Sequence, residues 1–248
     1  MSKKVTAALC VIGDEILSGR TQDKNIAYIA TFLEEIGISL AEVRIVPDEF
    51  DEIIPAVNRL RAKYDYLFTT GGIGPTHDDI TAEAIAKAFQ VSLDQNEAAY
   101  AILSEHYGED AFTDARKRMT RIPHGGLLIK NPVSLAPGFQ MDNVFTLAGV
   151  PKIMQSMLED VRHRLKGGRK IMTKDLTLKI GESSLFECLT DLNNRFESVS
   201  IGSYPFYGEG RFAVQVVMRS TIDSDLEKCF ITLMNYVTEH SIPVLEQN

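Results

Sequence analysis

One junction limits the folds open to this chain more than any other. Tyr64–Thr69 is short, aromatic and apolar, the pattern of a buried strand, and Thr81–Phe89 is a run of strong helix formers. Between them lies Thr70-Gly71-Gly72-Ile73-Gly74-Pro75-Thr76-His77-Asp78-Asp79-Ile80, with three glycines in four positions. A strand that passes through such a turn into a helix is a unit of an α/β sheet, whose ligands sit outside the carboxyl ends of the strands. Glycines let backbone N–H groups approach a ligand with no Cβ in the way. The helix that follows points its positive end at the same place. The turn is therefore expected to hold phosphate or another oxyanion on Gly71, Gly72, Ile73 and Gly74. The alternative is a tight connection whose glycines only serve positive φ.

Two familiar phosphate loops do not fit. A Walker loop needs Gly-Lys-Ser/Thr, and no lysine occurs between Lys63 and Lys87. A dinucleotide fingerprint needs glycine where His77 stands. Asp78 and Asp79 are the puzzle, since an anion site does not favour bare negative charge. A divalent cation shared between carboxylates and phosphate oxygens resolves it. Otherwise Asp79 or Thr81 caps the helix, and the other aspartate orients a hydroxyl or water. His77 reads as a surface residue, with acid–base work as the alternative.

The same logic runs through the first 168 residues. Val5–Ile12 is an apolar strand broken by Gly13-Asp14-Glu15, so Asp14 and Glu15 are expected to line the crevice with the glycine turn. Ile26, Ile29, Ala30, Leu33 and Ile36 recur at helical spacing, with Asp23 as cap and Gly37 past the end. Ile38–Val46 reads as the next strand. Asp48 then serves either the site or the N-cap of a helix holding Ile53, Ile54, Val57 and Leu60. Asn96–His106 and Thr113–Thr120 look helical; Arg116, Lys117, Arg118 and Arg121 read as a solvated face, the alternative being contact with a phosphate tail. Leu127–Ile129 and Phe139–Leu147, turning at Asp142-Asn143, read as strands, with 131–138 a fixed loop beside the ligand. After a helix at Pro151–Leu165, Lys166-Gly167-Gly168-Arg169-Lys170 reads as a linker. Residues 169–248 follow in the order strand, helix, strand, strand, helix, a small α+β unit without glycine loops. In it Phe206, Tyr207 and Gly208 read as an aromatic turn that offers an interface.

Composition narrows the function. With 248 residues and 44% apolar content the chain can bury one large core and a smaller one. A net charge of −8 argues against a broad nucleic-acid or membrane surface. Cys10, Cys188 and Cys229 are too few and too scattered to imply disulfides or zinc. No secretory signal or long apolar run is present, so a cytoplasmic protein is expected.

Gly71-Gly72-Ile73-Gly74-Pro75-Thr76-His77-Asp78-Asp79-Ile80-Thr81 resembles the signature of the molybdopterin-binding (MoaB/Mog) family, in its CinA form. Ile12-Gly13-Asp14-Glu15-Ile16-Leu17-Ser18-Gly19-Arg20 with Asp23 and Asn25 resembles the same branch. So do Val46-Pro47-Asp48, Asn131-Pro132-Val133, Ala136-Pro137-Gly138 and Gly149-Val150-Pro151. Ser134 and Ala148 depart from the glycine and proline that relatives commonly carry. The resemblance covers about residues 5–165; the region after 170, including Ser203-Tyr204-Pro205, is similar to the subdomain that follows in CinA-type proteins. It implies a three-layer α/β sandwich around a mostly parallel sheet, then a smaller α+β subdomain, in a homo-oligomer. It implies a ligand carrying phosphate: ADP-ribose or FAD hydrolysed with Mg²⁺ or a similar ion, or molybdopterin bound or adenylylated. Asp48 and Asp79 would be catalytic, and Asp14, Asp48, Asp78 and Asp79 would hold the metal. Thr76, Thr81, Asn131, Pro137 and Gly138 would join the glycine turn around substrate. The chain is expected to end too early for the deamidase domain that many CinA proteins carry.

Overall fold

The computed structural model describes residues 5–208 and 211–247. The chain divides after Gly168 into two compact units.

The first unit contains β1 (Val5–Ile12), a short α1 (Asp14–Leu17), α2 (Asn25–Glu35), β2 (Ile38–Val46), α3 (Phe50–Lys63), β3 (Tyr66–Thr70) and α4 (Thr81–Phe89). After these come β4 (Leu93–Gln95), α5 (Glu97–Tyr107), α6 (Asp114–Lys117), β5 (Arg121–Pro123), β6 (Leu127–Ile129), β7 (Gly138–Met141), β8 (Val144–Leu147) and α7 (Pro151–Val161). Six strands form one sheet in the order β2-β1-β3-β8-β7-β6. β2, β1, β3 and β8 run parallel, and β7 and β6 close the far edge antiparallel. The mostly parallel sheet with helices on both faces is the expected α/β sandwich.

Strand alternation builds its two cores. Ala8, Cys10, Ile12 and Leu67 face Ile53, Val57, Leu60 and Ile85 of α3 and α4. Ala7, Leu9, Val11 and Phe68 face Ile29, Leu33, Met154 and Leu158 of α2 and α7. Each of these residues is essentially excluded from water, the burial pattern of strands covered on both sides. Cys10 is one of them, and burial pushes its thiol up to about 12, so it acts as a small apolar side chain. Asp23 accepts from the Ile26 N–H at the start of α2 (2.7 Å), and Gly37 ends that helix at φ +75°. The helix read at Thr113–Thr120 is a single α turn followed by a 3₁₀ turn at Arg118–Thr120. The one read at Pro151–Leu165 tightens to 3₁₀ at Arg162–Arg164.

The end of this unit is fastened down. Lys166 N–H donates to the Tyr66 hydroxyl (2.8 Å) and Gly168 N–H to the Gly37 carbonyl (3.2 Å). A Cβ on Gly167 would fall 1.7 Å from the Ile36 carbonyl oxygen, so only glycine fits there. The stretch read as a linker is tied to its own unit through Gly168.

The second unit contains β9 (Met172–Leu178), α8 (Phe186–Arg195), β10 (Ser200–Gly208), β11 (Arg211–Ser220), α9 (Asp223–Glu239) and β12 (Val244–Gln247). Its antiparallel sheet has the order β10-β11-β9-β12. Leu176, Val214, Val216 and Met218 pack against Leu192, Leu226, Phe230 and Leu233 of the two helices. Phe206–Gly208, read as a turn, continues β10, where Phe206 pairs with Ala213.

Candidate functional site

The crevice forms where the sheet changes direction. β1 lies between β2 and β3, so successive connections leave it on opposite sides, and the carboxyl ends of β1 and β3 open a gap. Gly71 closes its base. At φ +100° its backbone lies so near β1 that a Cβ would stand 2.1 Å from the Ile12 carbonyl oxygen. Its N–H is engaged by the Leu147 carbonyl (3.2 Å). Gly71 is therefore a corner of the fold, and the donor role expected of its amide is corrected.

The following amides are different. Among the described residues, the N–H groups of Gly72, Ile73 and Gly74 find no protein acceptor, and neither do those of Ala82 and Glu83 in the first turn of α4. These five residues line one narrow slot of about 30 Å³ with Asp79, Arg118, Arg121 and Pro137. Successive free amides beside a helix N-terminus make an anion-binding concavity. Thr81 N–H holds the turn down by donating to the Gly72 carbonyl (2.9 Å).

Beneath the turn, three buried side-chain atoms have no hydrogen-bond partner among the described residues: Thr81 Oγ1, Thr70 Oγ1 and Asn25 Oδ1. Thr81 Oγ1 lies directly under Gly72, where a Cβ would stand 2.2 Å from it. Asn25 is pinned by its amide nitrogen to the Gly149 carbonyl (2.8 Å), and Gly149 packs against Gly71. An orphaned buried hydroxyl or carbonyl costs about 1–3 kcal/mol, and three around one turn mark groups that await a water or ligand. Asn25 was visible in the sequence only as part of a motif, and Thr70 gave no signal.

The carboxylates divide into two groups. Asp48 accepts from the Asp14 N–H (3.1 Å) and stands 3.4 Å from where a Gly72 Cβ would be. Burial, together with the neighbouring charges of Asp14, Glu15 and Asp78, raises its carboxyl above the usual range, against the lowering effect of that hydrogen bond. Asp48 is no helix cap, since α3 begins after Glu49 without a side-chain bond. Asp79 is no cap either: α4 has no side-chain bond at its N-cap, Ile80. Instead Asp79 turns back to accept from the Thr76 N–H (2.8 Å) and hydroxyl. Its carboxylate thus braces the turn beside Gly74. Asp78 is exposed, and the Thr76 hydroxyl, its own amide and His77 hold its carboxyl low. His77 lies at the surface, with Asp78 at 3.8 Å.

The four-aspartate metal set is corrected accordingly. Among the described residues no three His, Cys, Asp or Glu side chains converge to hold an ion, and Asp79 is itself engaged by Thr76. The charges of Asp14, Glu15 and Asp78 nonetheless act on Asp48, so this side of the crevice is acidic.

The loop at 131–138 contributes less than expected. Asn131 is buried and fully engaged: Oδ1 accepts from the Val133 and Ser134 N–H groups, and Nδ2 donates to Ser134 Oγ and the Ala136 carbonyl. It shapes the loop and has no free group for a ligand. Gly138 is packed against β8, where a Cβ would stand 2.4 Å from the Thr146 carbonyl oxygen. Pro137 alone of these reaches the slot. Arg118 and Arg121, read as solvent-facing, line it too.

Comparison with known proteins agrees with this architecture. Residues 8–167 match the family model for a probable molybdopterin binding domain, and residues 170–246 match that for an FAD synthase middle domain. A probable FAD synthase of Caenorhabditis elegans is 29% identical over 98% of this chain, which spans 52% of that relative's length. A protein of Pyrococcus furiosus is 31% identical over 88% of this chain and 92% of its own. The crystal structure of CinA from Thermoplasma acidophilum, a protein described as of unknown function, superposes with a TM-score of 0.62 at 35% identity. It covers 65% of this chain and 99% of the other. The chain belongs to the molybdopterin-binding domain family, in the CinA-like form where an FAD-synthase-type middle domain follows.

Proposed function

We propose that this protein hydrolyses the pyrophosphate bond of a nucleotide diphosphate such as ADP-ribose or FAD. The observation that carries the reading is the set of free amides at Gly72, Ile73, Gly74, Ala82 and Glu83, above the unpartnered Thr81 hydroxyl and beside Asp48. The amides would hold one phosphate, each charge-assisted hydrogen bond contributing about 1.5–3 kcal/mol. Thr81 Oγ1, buried directly under Gly72, would bond the phosphate through a water at the base of the turn. Asp48 would orient the attacking water by accepting its hydrogen bond. Water adds across the P–O–P bridge, so ADP-ribose gives AMP and ribose 5-phosphate, and FAD gives AMP and FMN. A divalent ion held by Asp48 with Asp14 or Asp78 would supply neutralising charge for the diphosphate.

The description of the matched family as a probable molybdopterin binding domain favours a second reading, in which the same amides hold the phosphate of molybdopterin for adenylylation. A non-catalytic binding module is the third. Purified protein incubated with ADP-ribose, FAD, or molybdopterin plus ATP, each with and without Mg²⁺, separates them. Metal-dependent AMP from either dinucleotide supports the hydrolase. Adenylylated molybdopterin without such AMP selects the second reading, and binding without turnover the third.

A further inference from the structure

The four cations that read as one solvated face separate in the fold. Arg116 stacks over the Tyr107 ring (4.1 Å) and donates to the Ala111 carbonyl, and Lys117 pairs with Asp114 (2.9 Å). Arg118 and Arg121 make no ion pair among the described residues. Both line the slot opposite Gly72, Ile73 and Gly74. Their positions are fixed from behind. Buried Thr120 donates its hydroxyl to the Lys117 carbonyl (2.7 Å) and accepts the Asn96 N–H on its own carbonyl (2.8 Å). Arg121 pairs with Gln95 across β4 and β5, and an Arg118 guanidinium nitrogen reaches the Asp79 carbonyl oxygen (3.5 Å).

We propose that Arg118 and Arg121 form a second anion seat facing the glycine turn, so that the slot takes two linked phosphates. The proposal rests on the turn being a phosphate site and names which atoms meet the next phosphate. A slot of about 30 Å³ holds about two waters, room for one compact group between amides and side chains. A second phosphate must lie at its mouth, where both guanidiniums are exposed. The crevice also contains Asp14, Glu15, Asp48, Asp78 and Asp79, which repel an anion. Two arginines without a carboxylate partner among the described residues offset that repulsion where bidentate phosphate contacts form.

The test is calorimetric titration, without divalent ion, of wild type and of the double variant Arg118→Gln with Arg121→Gln. The probes are AMP, methylene-bridged ADP, phosphate and pyrophosphate. The double variant is expected to melt like wild type, to lose at least tenfold in affinity for methylene-bridged ADP, and to change less than twofold for AMP. Pyrophosphate should follow the first and phosphate the second. Equal losses for one- and two-phosphate probes, or no loss, overturn the proposal. Wild type that binds pyrophosphate but neither nucleotide defeats the nucleotide reading and leaves the seat standing if the variant loses pyrophosphate. Wild type that binds none of the four defeats both.

Discussion

Replacing Gly71 with alanine separates the corner of the fold from the ligand site. Gly71 has φ +100°, and a Cβ there would stand 2.1 Å from the backbone oxygen of Ile12 and 3.2 Å from its carbon. Holding an L-residue in left-handed geometry costs about 1–2 kcal/mol. Forcing a methyl group into a packed site adds about 1–3 kcal/mol, and a strand backbone cannot swing aside as a side chain can. Gly71→Ala should therefore lower stability by roughly 2–5 kcal/mol, or about 10 °C at roughly 2–4 °C per kcal/mol for a chain of this size. Gly74→Ala is the control. Its φ lies outside the left-handed region, and the atom it would meet is the Asp79 Oδ2 at 2.7 Å, a side-chain atom that can give way only by loosening its hydrogen bonds from Thr76. Its stability should stay within about 1 kcal/mol of wild type, while nucleotide binding weakens because the methyl group enters the slot. Thermal unfolding of both variants, with and without ADP-ribose plus Mg²⁺, reads both effects. A Gly71→Ala protein that melts with wild type would refute the close approach of β1 and β3. A Gly74→Ala protein stabilised by ligand as wild type is would remove Gly74 from the site.

Thr81→Val replaces an unpartnered buried hydroxyl with a methyl group of the same shape, so the free protein should be unchanged or up to about 1 kcal/mol more stable. Nucleotide affinity should fall; a drop in stability without ligand would mean the hydroxyl already has a partner such as water. Asp48→Asn should keep the fold and reduce hydrolysis by on the order of a hundredfold, and unchanged rates would remove Asp48 from the mechanism. The Asp48 carboxyl is raised in the fold, so the folded state binds its proton more tightly and Asp48 weakens the fold as pH rises from about 4 through its folded pKa. Asp48→Asn should flatten that part of the stability profile. Glu42 has the opposite sign: Tyr64, Lys63 and Arg44 lower it to about 2, so its contribution is present above about 4.5 and lost as pH falls towards 2. Glu42→Gln should soften acid unfolding in that window, and a profile identical to wild type would mean these surface contacts contribute nothing.

The elements carried by long local patterns were legible. β1, β2 and α4 have the bounds that the apolar runs and the run of helix formers assign. Some short elements were not: β4, β5 and β12 are three or four residues long, and distant partners hold them as strands, although the equally short β6 was read at Leu127–Ile129. Phe206–Gly208 read as a turn, yet β10 continues through it and through Pro205, an edge strand where a missing N–H can face away from its neighbour. Within the site, the glycine turn and its place after β3 were readable because both follow from chain geometry. The partners of the aspartates were not. Sequence offers Asp48 and Asp79 as caps by spacing alone, whereas the Asp14 amide and the Thr76 N–H take their carboxylates. The arginine cluster shows the same limit, since only the path of the 3₁₀ turn separates Arg118 and Arg121 from Arg116 and Lys117.

The fastening of Lys166–Gly168 to Tyr66, Ile36 and Gly37 gives the boundary two unlike sides. Evolution or an engineer can lengthen a connection only where no backbone group is committed. Residues inserted before Gly168 would pull its N–H from the Gly37 carbonyl and move Gly167 from its seat against the Ile36 carbonyl, where a side chain does not fit. A cut after Leu165 would leave the Tyr66 hydroxyl and the Gly37 carbonyl without those donors. Insertions, tags and truncations therefore have a natural place from Arg169 onward, and what reads as a tether is the last seam of the first unit.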